Sequence, residues 1–150
     1  MKGTAMDDRT LTPTVLVLDF GAQYGQLICR RVRDLHVYSE VIAADTPASE
    51  ISALGPAALI LSGGPASVYE EGAPDVDAGI FDLNIPILGF CYGQQLMATK
   101  LGGKVGHTDK GEYGPATLVR DGSSMLLADT PAEQTVWMSH RDSVTEVPDG

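Results

Sequence analysis

The chain has 150 residues, 43% of them hydrophobic, and its 10 basic against 20 acidic side chains give a net charge of −10. This length fits one domain, which at this size buries roughly two thirds of the surface of its unfolded chain. Nucleic acid and anionic membranes bind concentrated positive charge, so this composition argues against both as partners. No apolar stretch approaches the roughly 20 residues that cross a bilayer, and the first residues lack the apolar core of a secretion signal, so we expect a cytoplasmic protein.

The first two thirds of the chain alternate between predicted strands and predicted helices. The apolar β-rich segments 14–20, 38–43, 57–61 and 85–90 are predicted strands, and segments 23–35, 48–54, 75–83 and 92–101 are predicted helices. Such alternation predicts an α/β fold with a mainly parallel sheet and helices on both of its faces. Residues 1–13 are predicted to be a disordered arm ahead of a single domain at 14–150.

After Gly103 the sequence pattern changes to short β-rich segments, 116–120, 135–138 and 143–147, separated by Gly, Asp and Pro. These segments predict an antiparallel extension near the C-terminus. The chain stops at Val147-Pro148-Asp149-Gly150, which is a turn signal rather than a closing element. We therefore expect the domain to be truncated at its C-terminal end.

Cys91 lies where a predicted strand meets a predicted helix, in Gly89-Phe90-Cys91-Tyr92-Gly93. The form G-x-nucleophile-x-G is typical of a nucleophile elbow, a tight turn that holds the nucleophile in a strained conformation. Glycines flank it because side chains there would collide with the adjacent strand and helix. The helix N-terminus favours a thiolate, and the Tyr92 N–H points to where an oxyanion would form. The alternative is a buried core cysteine, the usual role of a lone Cys.

Other loops are predicted to meet Cys91 at the carboxyl edge of the sheet, where open α/β folds bind ligands. Residues 20–24 follow the first strand, and Ser62-Gly63-Gly64-Pro65 follows the third. The second of these is either a plain turn or a source of backbone N–H groups for an oxyanion. Gln95 lies one helical turn past Cys91 on the same side. The other cysteine, Cys29, is predicted to pack in a helix, and two distant cysteines indicate free thiols in a reducing compartment.

Three histidines are candidates for the base that a cysteine nucleophile needs. His36 ends the first predicted helix, where a contact with the helix C-terminus explains it. His107 is predicted to lie in a loop. His140 closes a predicted strand beside polar neighbours, and it can act either as the base or as a substrate contact.

Four separated segments together resemble the class I (triad-type) glutamine amidotransferase family. They are residues 18–33, 61–69 (LSGGPASVY), 89–95 (GFCYGQQ) and 136–142 (VWMSHRD). The resemblance is strongest to the branch whose complete enzymes supply ammonia for the ATP-dependent conversion of XMP to GMP. It implies a flavodoxin-like fold and a reaction in which Cys91 attacks the side-chain amide of glutamine. The expected products are ammonia and a glutamyl thioester, which water converts to glutamate.

The resemblance also implies roles for individual residues. By position, the backbone N–H groups of Gly64 and Tyr92 would bind the oxyanion, and the residues expected to hold glutamine are Gln95, Ser139, His140 and Asp142. Arg141 stands where this branch commonly has glycine, which puts a backbone contact there in question.

The base of the family lies in a His-Pro-Glu segment on a later strand, and this chain contains no such segment. An alternative hypothesis is therefore a catalytically incomplete module that binds glutamine or a partner. A third, a cysteine hydrolase or chaperone-like protein, shares the elbow but has no need of the segment 137–140.

The complete enzyme is expected to include an ATP-pyrophosphatase domain or subunit that uses ATP and Mg²⁺, and a homodimer is compatible with the resemblance. The chain contains no G-x-x-x-x-G-K-[ST] loop. Because that loop is a common phosphate cradle, we expect no cofactor in this domain.

Overall fold

The structure, a computed structural model, describes residues 14–149, and residues 108–110 through their backbone alone. The predicted disordered arm, residues 1–13, lies outside the described residues. The elements in chain order are β1 (Thr14–Asp19), α1 (Gly25–Asp34), β2 (Tyr38–Ala43), α2 (Ala48–Leu54), β3 (Ala58–Leu61), a 3-10 helix (Ala78–Asp82), β4 (Ile87–Gly89), α3 (Tyr92–Lys100), β5 (Lys104–Val119) and β6 (Glu133–Glu146). Between residues 14 and 149, none of these helices has the length and apolar character needed to span a membrane.

The first four strands form one parallel sheet in the order β2-β1-β3-β4. Side chains alternate between the faces of a strand. Leu18 therefore packs in a cluster with Ile51 of α2 and Leu96 of α3, whereas Val17 packs on the opposite face against Cys29 of α1. Helices cover both faces of the sheet, so the predicted α/β fold with a mainly parallel sheet is confirmed.

The prediction of a helix over 75–83 is wrong in type and length, because only a short 3-10 helix forms there. The Asp77 carboxylate accepts hydrogen bonds from the backbone N–H groups of Gly79 and of Ala48, the first residue of α2, each at 2.9 Å. These two bonds lower the pKa of Asp77, and the bond from Ala48 has the larger effect. The segment is thus held against α2 as a brief turn that buries Ile80.

The C-terminal segments form two long strands rather than the short pieces predicted. β5 and β6 pair in an antiparallel sheet of their own, so the predicted antiparallel extension is confirmed while its segment bounds are wrong. The glycines of β5 suggested turns, but Gly106 lies within the strand, where an added Cβ would come within 2.8 Å of Thr145 Cγ2. The pairing shifts register between His107 and Glu112, which accommodates the irregular sequence.

Two glycines allow β4 and α3 to approach each other and β3 closely. A Cβ on Gly89 would come within 2.6 Å of the Gln94 nitrogen, and one on Gly93 within 2.6 Å of Leu61 Cβ and closer still to its carbonyl oxygen. Because neither neighbour is the flexible end of a side chain, both positions require glycine. The predicted reason for the flanking glycines is confirmed.

Gly93→Ala should therefore destabilise the fold, whereas Gly25→Ala should not. A Cβ on Gly25, in the first turn of α1, would meet Val41 at an ordinary 3.7 Å. We expect Gly93→Ala to lower the free energy of unfolding by about 1–3 kcal/mol through overpacking. Gly25→Ala should be neutral or stabilising, because alanine favours helix. Urea unfolding of both variants measures the difference, and equal effects would contradict the packing described.

Candidate active site

Cys91 occupies the bend between β4 and α3, at the N-cap of the helix, with φ 47° and ψ −111°. A positive φ is rare for a residue with a side chain, so this backbone is strained, as the elbow pattern predicts. The Cys91 side chain is exposed, whereas Cys29 is fully buried in α1 and accepts a hydrogen bond from Ser39 Oγ at 3.2 Å. Of the two thiols, only Cys91 is therefore open to a substrate, and the predicted packing of Cys29 in a helix is confirmed.

The loops after β1, β3 and β4 converge at the carboxyl edge of the sheet. Ser62 joins all three, because its hydroxyl accepts from Phe20 N–H and its carbonyl oxygen accepts from Gly93 N–H, each at 3.1 Å. An added Cβ on Gly63 would lie 3.6 Å from the Cβ of Cys91. The glycine turn therefore lies beside the cysteine, and the predicted convergence is confirmed.

The backbone N–H groups predicted for the oxyanion have no hydrogen-bond acceptor in the part of the chain that the structure describes. Tyr92 is the first residue of α3, where N–H groups lack a partner within the helix. The next N–H, that of Gly93, donates to the backbone oxygens of Phe90 and Ser62. Gly64 is also a glycine for a steric reason, since a Cβ there would come within 2.6 Å of Phe20 O. The oxyanion roles of Gly64 and Tyr92 stay predictions.

The Tyr92 side chain anchors the start of α3 in the core. It is 2% exposed, its ring centroid lies 5.2 Å from that of Phe20, and its hydroxyl donates to Pro74 O. Burial, followed by the charges of Asp75 and Glu70, raises the pKa of Tyr92. The phenol therefore stays protonated as a hydrogen-bond donor.

Gln95 and Asp142, both predicted for glutamine binding, lie together in the structure. Gln95 is 6% exposed, and its Nε2 donates to the backbone oxygen of Asp142 at 2.7 Å. This bond ties α3 to β6. It also leaves Gln95 Oε1 as the atom through which this side chain would accept a bond from a ligand.

The Asp142 carboxylate has two partners that the sequence analysis missed. Ser67 Oγ donates to Oδ2 at 2.6 Å, and His107 Nδ1 lies 2.9 Å from Oδ1. The Ser67 hydroxyl, followed by His107, lowers the pKa of Asp142 below its ordinary value of 3.8. The prediction that His107 lies in a loop is wrong, because it belongs to β5 and pairs with Asp142. No local pattern indicates these contacts, which join residues 75 and 35 positions apart.

The remaining predicted contacts alternate along β6. Ser139 and Arg141 are exposed, whereas His140 faces the same side as buried Asp142. His140 Nε2 lies 3.3 Å from Glu112 Oε2, and its buried Nδ1 has no partner in the described chain. Within residues 14–149, no three His, Cys, Asp or Glu side chains are grouped to hold a metal ion.

Arg141 extends over the glycine facing it on β5. A Cβ on Gly111 would lie 3.1 Å from Arg141 Cγ and 3.1 Å from His140 O. The side chains of Tyr113 and Arg141 thus lie in the space that a side chain on residue 111 would need.

A cavity of about 600 Å³ opens at the ends of β1 and β2. Its lining includes Asp19, Val41, Asp45 and Asp75, and none of its lining residues is a predicted site residue. The residues predicted to carry the chemistry therefore do not line this cavity.

The fold and the elbow define a class of protein that comparison with known proteins confirms. The model of the family described as glutamine amidotransferase class-I matches residues 16–150, so the chain belongs to this family. It is similar to GMP synthase [glutamine-hydrolyzing] of Thermobifida fusca, with 56% identity over 137 residues, 91% of this chain and 26% of that protein. The corresponding protein of Lactiplantibacillus plantarum is 55% identical over 97% of this chain and 29% of its own length.

Solved structures show the same relationship. A GMP synthase subunit from Thermoplasma acidophilum superposes with a TM-score of 0.80 at 31% identity, over 92% of this chain and 69% of that one. A glutamine amidotransferase from Thermotoga maritima, at 19% identity and a TM-score of 0.63, shares the fold. The resemblance seen in the sequence is confirmed, and it favours an amidotransferase over a cysteine hydrolase or chaperone-like protein. The chain spans about a quarter of the length of the curated relatives that it matches.

The pKa of Asp142 predicts how acid affects stability. Because the folded state holds this pKa down, the unfolded chain binds the proton first as the pH falls. The stabilisation that the ionised Asp142 carboxylate gives the folded state is complete well above pH 3.8, and it is lost as the pH falls through the folded-state pKa of this group. Asp142→Asn should therefore be less stable than the parent at pH 7, and the difference between their free energies of unfolding should narrow towards pH 3. Urea unfolding across this range measures it, and a gap that widens in acid would contradict the assignment.

Proposed function

We propose that this chain is the glutamine-hydrolysing domain of a GMP synthase. The observation that carries the proposal is the exposed Cys91 on a strained bend at the N-terminus of α3, beside the Gly63–Gly64 turn. The 55–56% identity to two GMP synthases supports the assignment to this branch of the family.

In the proposed reaction the Cys91 thiolate attacks the side-chain amide carbon of glutamine. A C–S bond forms, and the carbonyl oxygen takes the negative charge, facing the N–H groups of Tyr92 and Gly64. Collapse of this intermediate breaks the C–N bond, and the nitrogen leaves as ammonia after it gains a proton. Water then attacks the thioester, which releases glutamate and restores the thiol.

Glutamine would be held by the side of the elbow that faces β6. The proposed contacts are Gln95, Ser139, His140 and Asp142. Gln95 supports this placement, since it is one turn from Cys91 and its Nε2 is already bound to Asp142 O. Its Oε1 suits the α-amino group of glutamine.

The general base is proposed to come from the His-Pro-Glu segment of the family, outside these 150 residues. His140 pairs with Glu112, but the resemblance places it at substrate binding. Because general base catalysis contributes about 10²–10⁴ in rate, these residues alone should hydrolyse glutamine slowly.

The ammonia is proposed to pass to an ATP-pyrophosphatase domain or subunit, where ATP and Mg²⁺ activate XMP for conversion to GMP. The GMP synthases that this chain matches extend far beyond the 26–29% that it spans, which supports a partner domain. A cytoplasmic location and a homodimer of the complete enzyme are part of the same proposal.

Alkylation with the chloroketone analogue of glutamine tests the nucleophile. The thiolate displaces chloride and forms a C–S bond, so the modified residue is found by peptide mass. We expect the label on Cys91 and its loss in Cys91→Ala, with labelling retained in the control Cys29→Ala because Cys29 is buried. Label on Cys29 with Cys91 spared would overturn the assignment.

Assays of the complete enzyme distinguish a nucleophilic role of Cys91 from a structural one. Cys91→Ala should abolish GMP formation with glutamine as nitrogen donor and preserve it with added ammonia. GMP formation from XMP and ATP with each donor measures this. Loss of both activities would instead indicate that Cys91 supports the fold.

A further inference from the structure

Four segments of the chain meet at one residue, Asp142. Its carboxylate accepts from Ser67 Oγ in the loop after β3 and pairs with His107 Nδ1 of β5, at 2.6 and 2.9 Å. Its backbone oxygen accepts from Gln95 Nε2 of α3 at 2.7 Å. Asp142 itself belongs to β6, so it joins the hairpin to the loop after β3 and to α3.

The carboxylate is placed as a fixed structural charge. The Asp142 side chain is 11% exposed, and each of its oxygens has a partner. Hydrogen bonds to an ionised group are stronger than those between neutral groups, and a buried charge that loses a partner is costly. These bonds therefore restrict where loop 62–69 can lie relative to β6.

Two of the segments bonded to Asp142, loop 62–69 and α3, carry residues of the proposed reaction. Ser67 follows Gly64 by three positions in loop 62–69, and Ser62 in the same loop binds the elbow through Gly93 N–H at 3.1 Å. Gln95 lies one helical turn after Cys91. A displacement of Asp142 would thus move an oxyanion donor and a glutamine contact together.

We infer that Asp142 is a positioning residue: its carboxylate, bound by Ser67 and His107, holds the loop that carries Gly64, and its backbone oxygen holds Gln95, so that both lie in place around glutamine. The inference rests on the proposed function and refines it, since Asp142 acts through Gly64 and Gln95 rather than on the reacting amide. His107 and Ser67 are its partners in that role. A merely structural role would lower stability without changing how the site recognises glutamine.

The test compares two electrophiles on Cys91 in the full chain. The chloroketone analogue needs the glutamine site, whereas iodoacetamide needs only an accessible thiolate. The variants are Asp142→Asn, Ser67→Ala and His107→Asn, with the controls Ser123→Ala and His36→Asn, whose side chains are exposed. His36 has φ 61°, a conformation that asparagine tolerates.

We expect Asp142→Asn to lower the second-order rate constant for the analogue about tenfold or more, as loss of hydrogen bonds to a charge implies. Ser67→Ala and His107→Asn should lower it less, and the controls should leave it unchanged. The iodoacetamide rate should stay within about twofold in every variant. Equal losses with both electrophiles, or unchanged rates with the analogue, would overturn the inference.

Hydrogen exchange of the same variants gives a readout that needs no reaction. Asp142→Asn and Ser67→Ala should speed exchange in residues 62–69, while Ser123→Ala should not. If the parent chain failed to react with the analogue, the proposed function would fail, and exchange would still decide whether Asp142 holds the loop. Unchanged exchange in residues 62–69 would overturn the positioning role.

Discussion

The close approach of three backbones around the Cys91 bend is the constraint on which this structure depends. Gly93 lies against the Leu61 carbonyl, and Gly89 lies against the backbone of α3, at separations that no Cβ could occupy. This packing sets the direction in which α3 leaves the sheet. It also holds Cys91 at a positive φ, because the strain is balanced by the contacts on either side.

Helix direction has a chemical consequence. With the helix N-terminus behind it, Cys91 lies beside the N–H groups that have no partner within the helix and at the positive end of the helix dipole. The same geometry directs the Tyr92 N–H away from the helix. The buried Tyr92 ring, which packs against Phe20 at an interplanar angle of 44°, anchors the start of the helix.

A second set of contacts joins the hairpin to this centre. The parallel sheet, with α1 on one face and α2 and α3 on the other, positions the elbow, and the hairpin β5–β6 brings Asp142 to it. Hydrogen bonds and one buried charge make the connection. Such contacts depend on geometry more steeply than apolar packing does, which suits a function in positioning.

The strands of the parallel sheet were predictable because each is a short β-rich segment between turn residues, and the two central strands, β1 and β3, are largely buried. Residues 38–43 form β2 with the predicted bounds, and the apolar run at 14–20 forms β1 to within one residue. The hairpin was less predictable, because Gly106, Gly111 and Gly114 are turn residues by local propensity. At two of them a neighbouring side chain fills the space that a Cβ would take, Thr145 of the paired strand at Gly106 and Tyr113 of the same strand at Gly111. The position of the 3-10 helix likewise depends on the hydrogen bond that Ala48 N–H of α2 donates to the Asp77 carboxylate.

By itself, the sequence determined the resemblance to the family, the α/β order of elements and the elbow pattern around Cys91, because β-rich runs, helix periodicity and the elbow glycines are local patterns. Only the tertiary structure decided which cysteine is exposed and which partners Asp142 has. Ser67 and His107 reach Asp142 across 75 and 35 positions of chain. Contacts at such separations follow from how sheet and hairpin pack, and local spacing does not encode them.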